Sequence, residues 1–150
     1  MKTARFLQAQ PLFGGVDDRA MAAIIPLLRE VNFAAGEVIV KEGDDGDAMF
    51  VICHGSVEVL KSCPTAANVL GTRIAVLGVG DVFGEMELID LQPRSATVRA
   101  LEPVEALALS NGDLFRIYEF DMPTFALIVL NLARELSRRL RRIDDLAVLC

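Results

Sequence analysis

Between Phe33 and Leu109 the chain alternates short apolar stretches with glycine-bearing turns, and this alternation constrains the fold more than any other feature. The stretches are GEVIV, AMFVIC, SVEVL, RIAVL, ATVRA and EALAL, with Gly36, Gly43, Gly46, Gly55, Gly78 and Gly80 between them. EVIVK at 37–41 and VEVLK at 57–61 alternate apolar and charged residues, the period of a half-buried strand. Short strands with regular turn signals predict a β-sandwich or β-roll and not βαβ units.

Helical periodicity brackets this region. Asp17 or Asp18 can cap a helix whose apolar positions Met21, Ile24, Ile25, Leu28 and Val31 recur at three and four, with a kink or break at Pro26. After Leu109, Ser110 and Asp113 form an S-x-x-D cap ahead of LFRIYEF. Asp121 and Pro123 then open a long helix, expected over 124–149, whose apolar stripe is Val129, Leu132, Leu136, Leu140, Ile143 and Ala147. The expected architecture is α+β in one domain, 1–150. It comprises a helical segment at 1–32, a β-roll (jelly roll) at 33–109 and helices at 110–150, including a short helix inside the roll.

A chain of 150 residues, 53% of them hydrophobic and 24% charged, can bury a proper core. Its net charge of −6 argues against a general nucleic-acid binder, since that affinity rests on Lys and Arg neutralising phosphates. The apolar uncharged run 122–133 is too short to span a bilayer, and the N-terminus lacks the apolar region of a signal peptide. Cys53, Cys63 and Cys150 form no CxxC pair and read as reduced thiols of a cytoplasmic protein.

One stretch carries chemistry: GDVFGEMELIDLQPRSATVRA at 80–100. Gly84 permits an unusual turn or a close approach to a ligand, and the residues after it favour a helix of one or two turns. The first N–H groups of such a helix suit a phosphate. Arg94, on a loop stiffened by Pro93, supplies a planar cation that matches phosphate oxygens, and Ser95 adds a hydroxyl. Glu85 repels phosphate but accepts a hydrogen bond from a sugar hydroxyl. Together these groups describe a site for a sugar phosphate or nucleotide.

The same stretch closely resembles the phosphate-binding cassette of cyclic nucleotide-binding domains, the family of the catabolite activator protein and of the cAMP-dependent kinase regulatory subunits. FAAGEVIVKEGDDGDAMFVICHGSVEVLK resembles the family's first strands, and the likeness covers nearly the whole chain. Phe83, Gly84, Glu85, Met86, Glu87, Arg94, Ser95 and Ala96 fall on the cassette. The resemblance implies that Glu85 holds the ribose 2′-hydroxyl and that Arg94 pairs with the cyclic phosphate. Ser95 would support the phosphate or touch the base. Glu87 stands where the family often has Ala or Gly. Helix neighbours two apart do not face each other, so a Glu85 aimed at the ligand leaves Glu87 aimed largely away.

Other constellations are weaker. His54, the only histidine, neighbours Cys53 at a strand end, where adjacent side chains point to opposite faces. It therefore reads as structural, and neither a cupin-type metal centre nor a nucleophile–base pair can be assembled. GDDGD at 43–47 lacks the ligand spacing and closing Glu of a calcium loop and reads as a tight turn. The arginines at 134, 138, 139, 141 and 142 read as a solvated helix face, balanced in part by Glu135, Asp144 and Asp145.

The sequence thus predicts a stand-alone cytoplasmic sensor of cAMP or cGMP with no enzymatic activity, cofactor or metal. It would act through conformational change of the C-terminal helix on a separate output protein, and the apolar stripe of that helix favours a homodimer. The alternative expectation is the same fold with an altered pocket, serving as a dimerisation or interaction module.

Overall fold

The computed structural model describes residues 4–62 and 71–149. Cys63 and Cys150 lie outside them, as do the side chains of Glu87, Ile143 and Ala147. The chain divides into two compact units, Pro26–Leu114 and Lys2–Ile25 with Phe115–Cys150.

Among the described residues, the first unit is α+β and built on eight strands. They are β1 (Arg29–Phe33), β2 (Val38–Val40), β3 (Ala48–His54), β4 (Val57–Lys61), β5 (Thr72–Leu77), β6 (Val82–Phe83), β7 (Thr97–Ala100) and β8 (Val104–Ser110). All pairings are antiparallel, in two four-stranded sheets ordered β1-β8-β3-β6 and β2-β7-β4-β5. The inner faces of both sheets share one core, in which Phe50, Ile52, Val57, Leu77, Phe83 and Val98 are buried. All six stretches picked out by alternation are strands.

Two strands were not foreseen. The N-terminal helical segment stops short of Leu28 and Val31. A 3-10 turn at Ile25–Leu27 surrounds Pro26, whose missing N–H ends the helix, and Arg29–Phe33 continues as β1. Val31 and Phe33, two residues apart, face the shared core, so period two replaces the helical period that the sequence suggested. β6 is only two residues long, too short for any periodicity to announce it.

The second unit contains α1 (Ala4–Gln8), a 3-10 turn at Pro11–Phe13, α2 (Asp18–Ile24), most of α4 (Asn111–Phe120) and α5 (Met122–Leu149). The helix in the cassette, α3 (Glu85–Asp90), belongs to the first unit. Each expected cap is present. Asp17 accepts from Ala20 N at 2.8 Å, Ser110 Oγ from Asp113 N at 3.1 Å and Asp121 from Thr124 N at 3.1 Å.

The buried stripe of α5 differs from the one expected. Thr124, Ile128, Asn131 and Leu132 are buried and Leu136 is half-buried, whereas Val129 and Leu140 are exposed. Steps of 3 and 4 allow more than one stripe on an apolar helix, and Asn131 decides between them. Its Nδ2 donates to the carbonyl oxygens of Leu12 (2.9 Å) and Gly14 (3.0 Å), which seats the helix on the 3-10 turn. Further along, Glu135 binds Arg138 at 2.7 Å and Arg139 at 3.3 Å. Arg134, Arg138, Arg141 and Arg142 are exposed, as the solvated-face reading expects, whereas Arg139 is half-buried. In α4 the Tyr118 ring stacks on Phe115 and meets Phe125 edge-on. No helix among the described residues is long and apolar enough to cross a membrane.

Candidate functional site

The cassette runs from β6 through α3 to β7. Phe83 anchors its entrance: the ring is buried and stacks on Phe50 with centroids 4.9 Å apart. Gly84 then turns the chain with φ of +80°, a left-handed conformation that L side chains rarely adopt. A β-carbon at position 84 would also stand 2.6 Å from Arg94 Nη1, so a glycine is required there twice over. Glu85 opens α3 and is only 4% exposed. At the other end of α3, Leu91 takes φ of +57° and Asp90 accepts a hydrogen bond from Gln92 N, which closes the helix and starts the Arg94 loop.

Arg94 is only 6% exposed, an unusual position for a guanidinium and the central fact of the site. Its Nη2 donates to the carbonyl oxygen of Ala48 at 2.9 Å, and its Nη1 to that of Gly84 at 3.3 Å. Its main chain is fixed as well. Gly43 N donates to Arg94 O, and Arg94 N donates to Asp44 O, each at 2.8 Å. The flat guanidinium lies against Gly46, where a β-carbon would meet it at 2.2 Å.

The 43–47 segment, which the sequence offered only as a tight turn, is therefore the floor of the site. Its contribution comes from main-chain groups and from a missing side chain, which no residue pattern advertises. Among the described residues no group of three metal-binding side chains comes together there or elsewhere.

Of the other cassette residues, Met86 is exposed and its sulfur lies 4.0 Å from Ser95 Oγ, so the two ends of the cassette meet. Ser95 is exposed and Ala96 half-buried. The expectation that Glu87 turns away falls on a side chain outside the described residues. His54 is exposed at the end of β3 and Cys53 is buried.

A polar ring that the sequence did not reveal borders the cassette. Lys61 Nζ donates to Ser95 O, and Glu42 N donates to Thr97 Oγ1 at 3.0 Å. Ser62 gives both its N–H (3.0 Å) and its hydroxyl (2.6 Å) to the Glu42 carboxylate. These two hydrogen bonds, with the Lys61 charge a minor contributor, hold the Glu42 carboxyl below its ordinary range. On the second sheet, Glu58 is buried between Arg99 (2.7 Å) and Arg73 (3.0 Å), tying β4 to both its neighbours.

Fold and site define a β-roll module that presents a buried acid and a buried arginine from one short segment. The family model for the cyclic nucleotide-binding domain matches residues 30–121, and the chain belongs to that family. A CRP-like cAMP-activated global transcriptional regulator of Mycobacterium tuberculosis is 31% identical over 134 residues, covering 89% of this chain and 57% of that protein. The crystal structure of the Thermus thermophilus catabolite activator protein superposes with a TM-score of 0.78 at 32% identity, covering 93% of this chain and 62% of that one. A cyclic nucleotide-binding domain from Methylobacillus flagellatus gives a TM-score of 0.84 at 26% identity, over 95% and 78% of the respective chains. The chain thus spans less than two thirds of the first two proteins.

Proposed function

We propose that this chain is a non-catalytic sensor that binds cAMP or cGMP in the cytoplasm, needs no cofactor, and passes its state through α5 to a separate output protein. The observation that carries the reading is the burial of Arg94 beside the chain turn that presents Glu85. A guanidinium seated on the two backbone carbonyls of Ala48 and Gly84 is held in a fixed position beside that turn. A phosphate brings an opposite charge and oxygens that match the planar guanidinium fork, which a neutral carbonyl does not. Glu85 and Arg94 then serve opposite ends of one ligand, the ribose hydroxyl and the cyclic phosphate. Family membership supports the same assignment. Cys53, a buried thiol, suits a reducing compartment.

Calorimetric titration with both nucleotides tests this directly. A ligand at one hundred times its dissociation constant should also add about 2.7 kcal/mol of stability. Arg94→Ala should weaken binding at least tenfold. Heat and melting temperature that do not respond to either nucleotide refute the reading.

A second reading, a chain-to-chain interface on α5, is favoured by one observation: Val129, Leu130 and Leu140 are exposed. Light scattering of the unmodified protein at high micromolar concentration tests it.

A further inference from the structure

We infer that Lys61 is a second cation of the candidate site and the positioning residue for Ser95, an assignment that rests on the nucleotide-binding reading above. In the antiparallel pair of β4 and β7, Leu60 lies opposite Thr97. One step further along, β4 reaches the chain entering β7, where Ser95 and Ala96 stand. Leu60 is buried, whereas Lys61, at the end of β4, is exposed and reaches the rim of the cassette.

The Glu42 carboxylate beside this rim does not take the ammonium. Both oxygens of Glu42 are engaged by Ser62, one by its N–H and one by its hydroxyl. Lys61 instead donates to the carbonyl oxygen of Ser95, the residue directly after Arg94. A positive charge is thereby fixed one residue from the guanidinium, on the loop that carries the Ser95 hydroxyl. The same loop is held from its other side by the Gly43 and Asp44 main chain.

Two effects follow. The ammonium neutralises the partial negative charge of a carbonyl that borders the anion site, and it limits the positions open to Ser95. The charge also adds to the attraction of an anionic ligand, an effect that salt screens because Lys61 is exposed. Lysine is a point charge on a flexible stem, so arginine can replace it at a carbonyl acceptor whereas an apolar side chain of similar length cannot.

The test is calorimetric titration of the full chain, the Lys61→Met and Lys61→Arg variants, and Arg94→Ala, with cAMP and cGMP at about 0.05 M and about 0.5 M salt. Lys61→Met is expected to weaken binding roughly five- to tenfold at low salt, with the deficit shrinking at high salt. Lys61→Arg should stay within about twofold of the unmodified protein, and both variants should melt as it does without ligand. Binding by Lys61→Met that matches the unmodified protein, while Arg94→Ala loses it, overturns the role of Lys61 and leaves the nucleotide site standing. A loss shared equally by Lys61→Met and Lys61→Arg overturns the charge argument. Absence of binding by the unmodified protein overturns both the sensor function and this inference.

Discussion

Gly46 and Arg94 exclude each other's growth: a β-carbon at position 46 would stand 2.2 Å from Arg94 Nε and 2.3 Å from its Cζ. The backbone at Gly46 is not left-handed, so the first obstacle an alanine meets there is the guanidinium. Gly46→Ala should push Arg94 off the Ala48 and Gly84 carbonyls and weaken nucleotide binding at least tenfold, or about 1.4 kcal/mol. Gly78→Ala meets nothing within 4 Å and serves as the control, with unchanged affinity in the same titration.

Glu58 makes acid stability readable. Its carboxyl is held below its ordinary value of 4.5, first by the hydrogen bond from Arg99, against burial, and with help from Arg73. A depressed folded-state pKa means that the unfolded chain takes up the proton first. The stabilisation is complete above about pH 4.5 and is lost as the pH falls through the folded value. Urea unfolding between about pH 7 and about pH 3 should show Glu58→Gln less stable at neutral pH, with a shallower decline on acidification. Parallel pH curves for the two proteins would show that this triad contributes no linkage.

Asn131 is the single side chain that bonds both Leu12 and Gly14 carbonyls. Asn131→Ala removes two hydrogen bonds at once and leaves buried acceptors unmatched, a loss of about 1–3 kcal/mol. Amide exchange should accelerate in residues 11–16 while the strands of the first unit stay protected. Uniform protection before and after the change would contradict this seat for α5.

Val129 and Leu140 are both exposed and lie eleven residues apart, three helical turns, so they share one face of α5. If that face joins two chains, Val129→Asp with Leu140→Asp should convert a dimer to a monomer and leave the melting of the β-roll unchanged. Sedimentation at several concentrations decides between the outcomes. A concentration-independent monomer for the unmodified chain removes the interface.

The parts of this molecule that are written in side chains were legible in the sequence. Phe83, Gly84, Glu85 and Arg94 stood out because their pattern resembles the phosphate-binding cassette of the family. The caps at Asp17, Ser110 and Asp121 were equally plain, since each polar side chain precedes a helical run. What escaped is carried by the main chain or by context. The acceptors that seat Arg94 are carbonyls of Ala48 and Gly84, and the bonds that clip its loop involve Gly43 and Asp44, where residue type says nothing about the role. Lys61 is an ordinary lysine at a strand end until the register places it beside Ser95. Glu58 was visible as one charge in an alternating strand, but its burial depends on arginines 15 and 41 residues away. β1 was hidden by a helical period that happened to run past Pro26.

The aromatic cluster of α4 and α5 gives the molecule a built-in optical reporter. Tyr118 is the only tyrosine and there is no tryptophan, so emission excited beyond the phenylalanine absorption band originates at one ring. That ring is stacked on Phe115 at 5.7 Å and edge-on to Phe125 at 5.3 Å, all within the second unit, whereas the candidate nucleotide site lies wholly in the first. A change in tyrosine emission or anisotropy on adding nucleotide therefore registers the arrival of the signal in the helical unit, separately from the heat that registers occupancy. Heat without an optical change would describe a chain that binds and does not transmit.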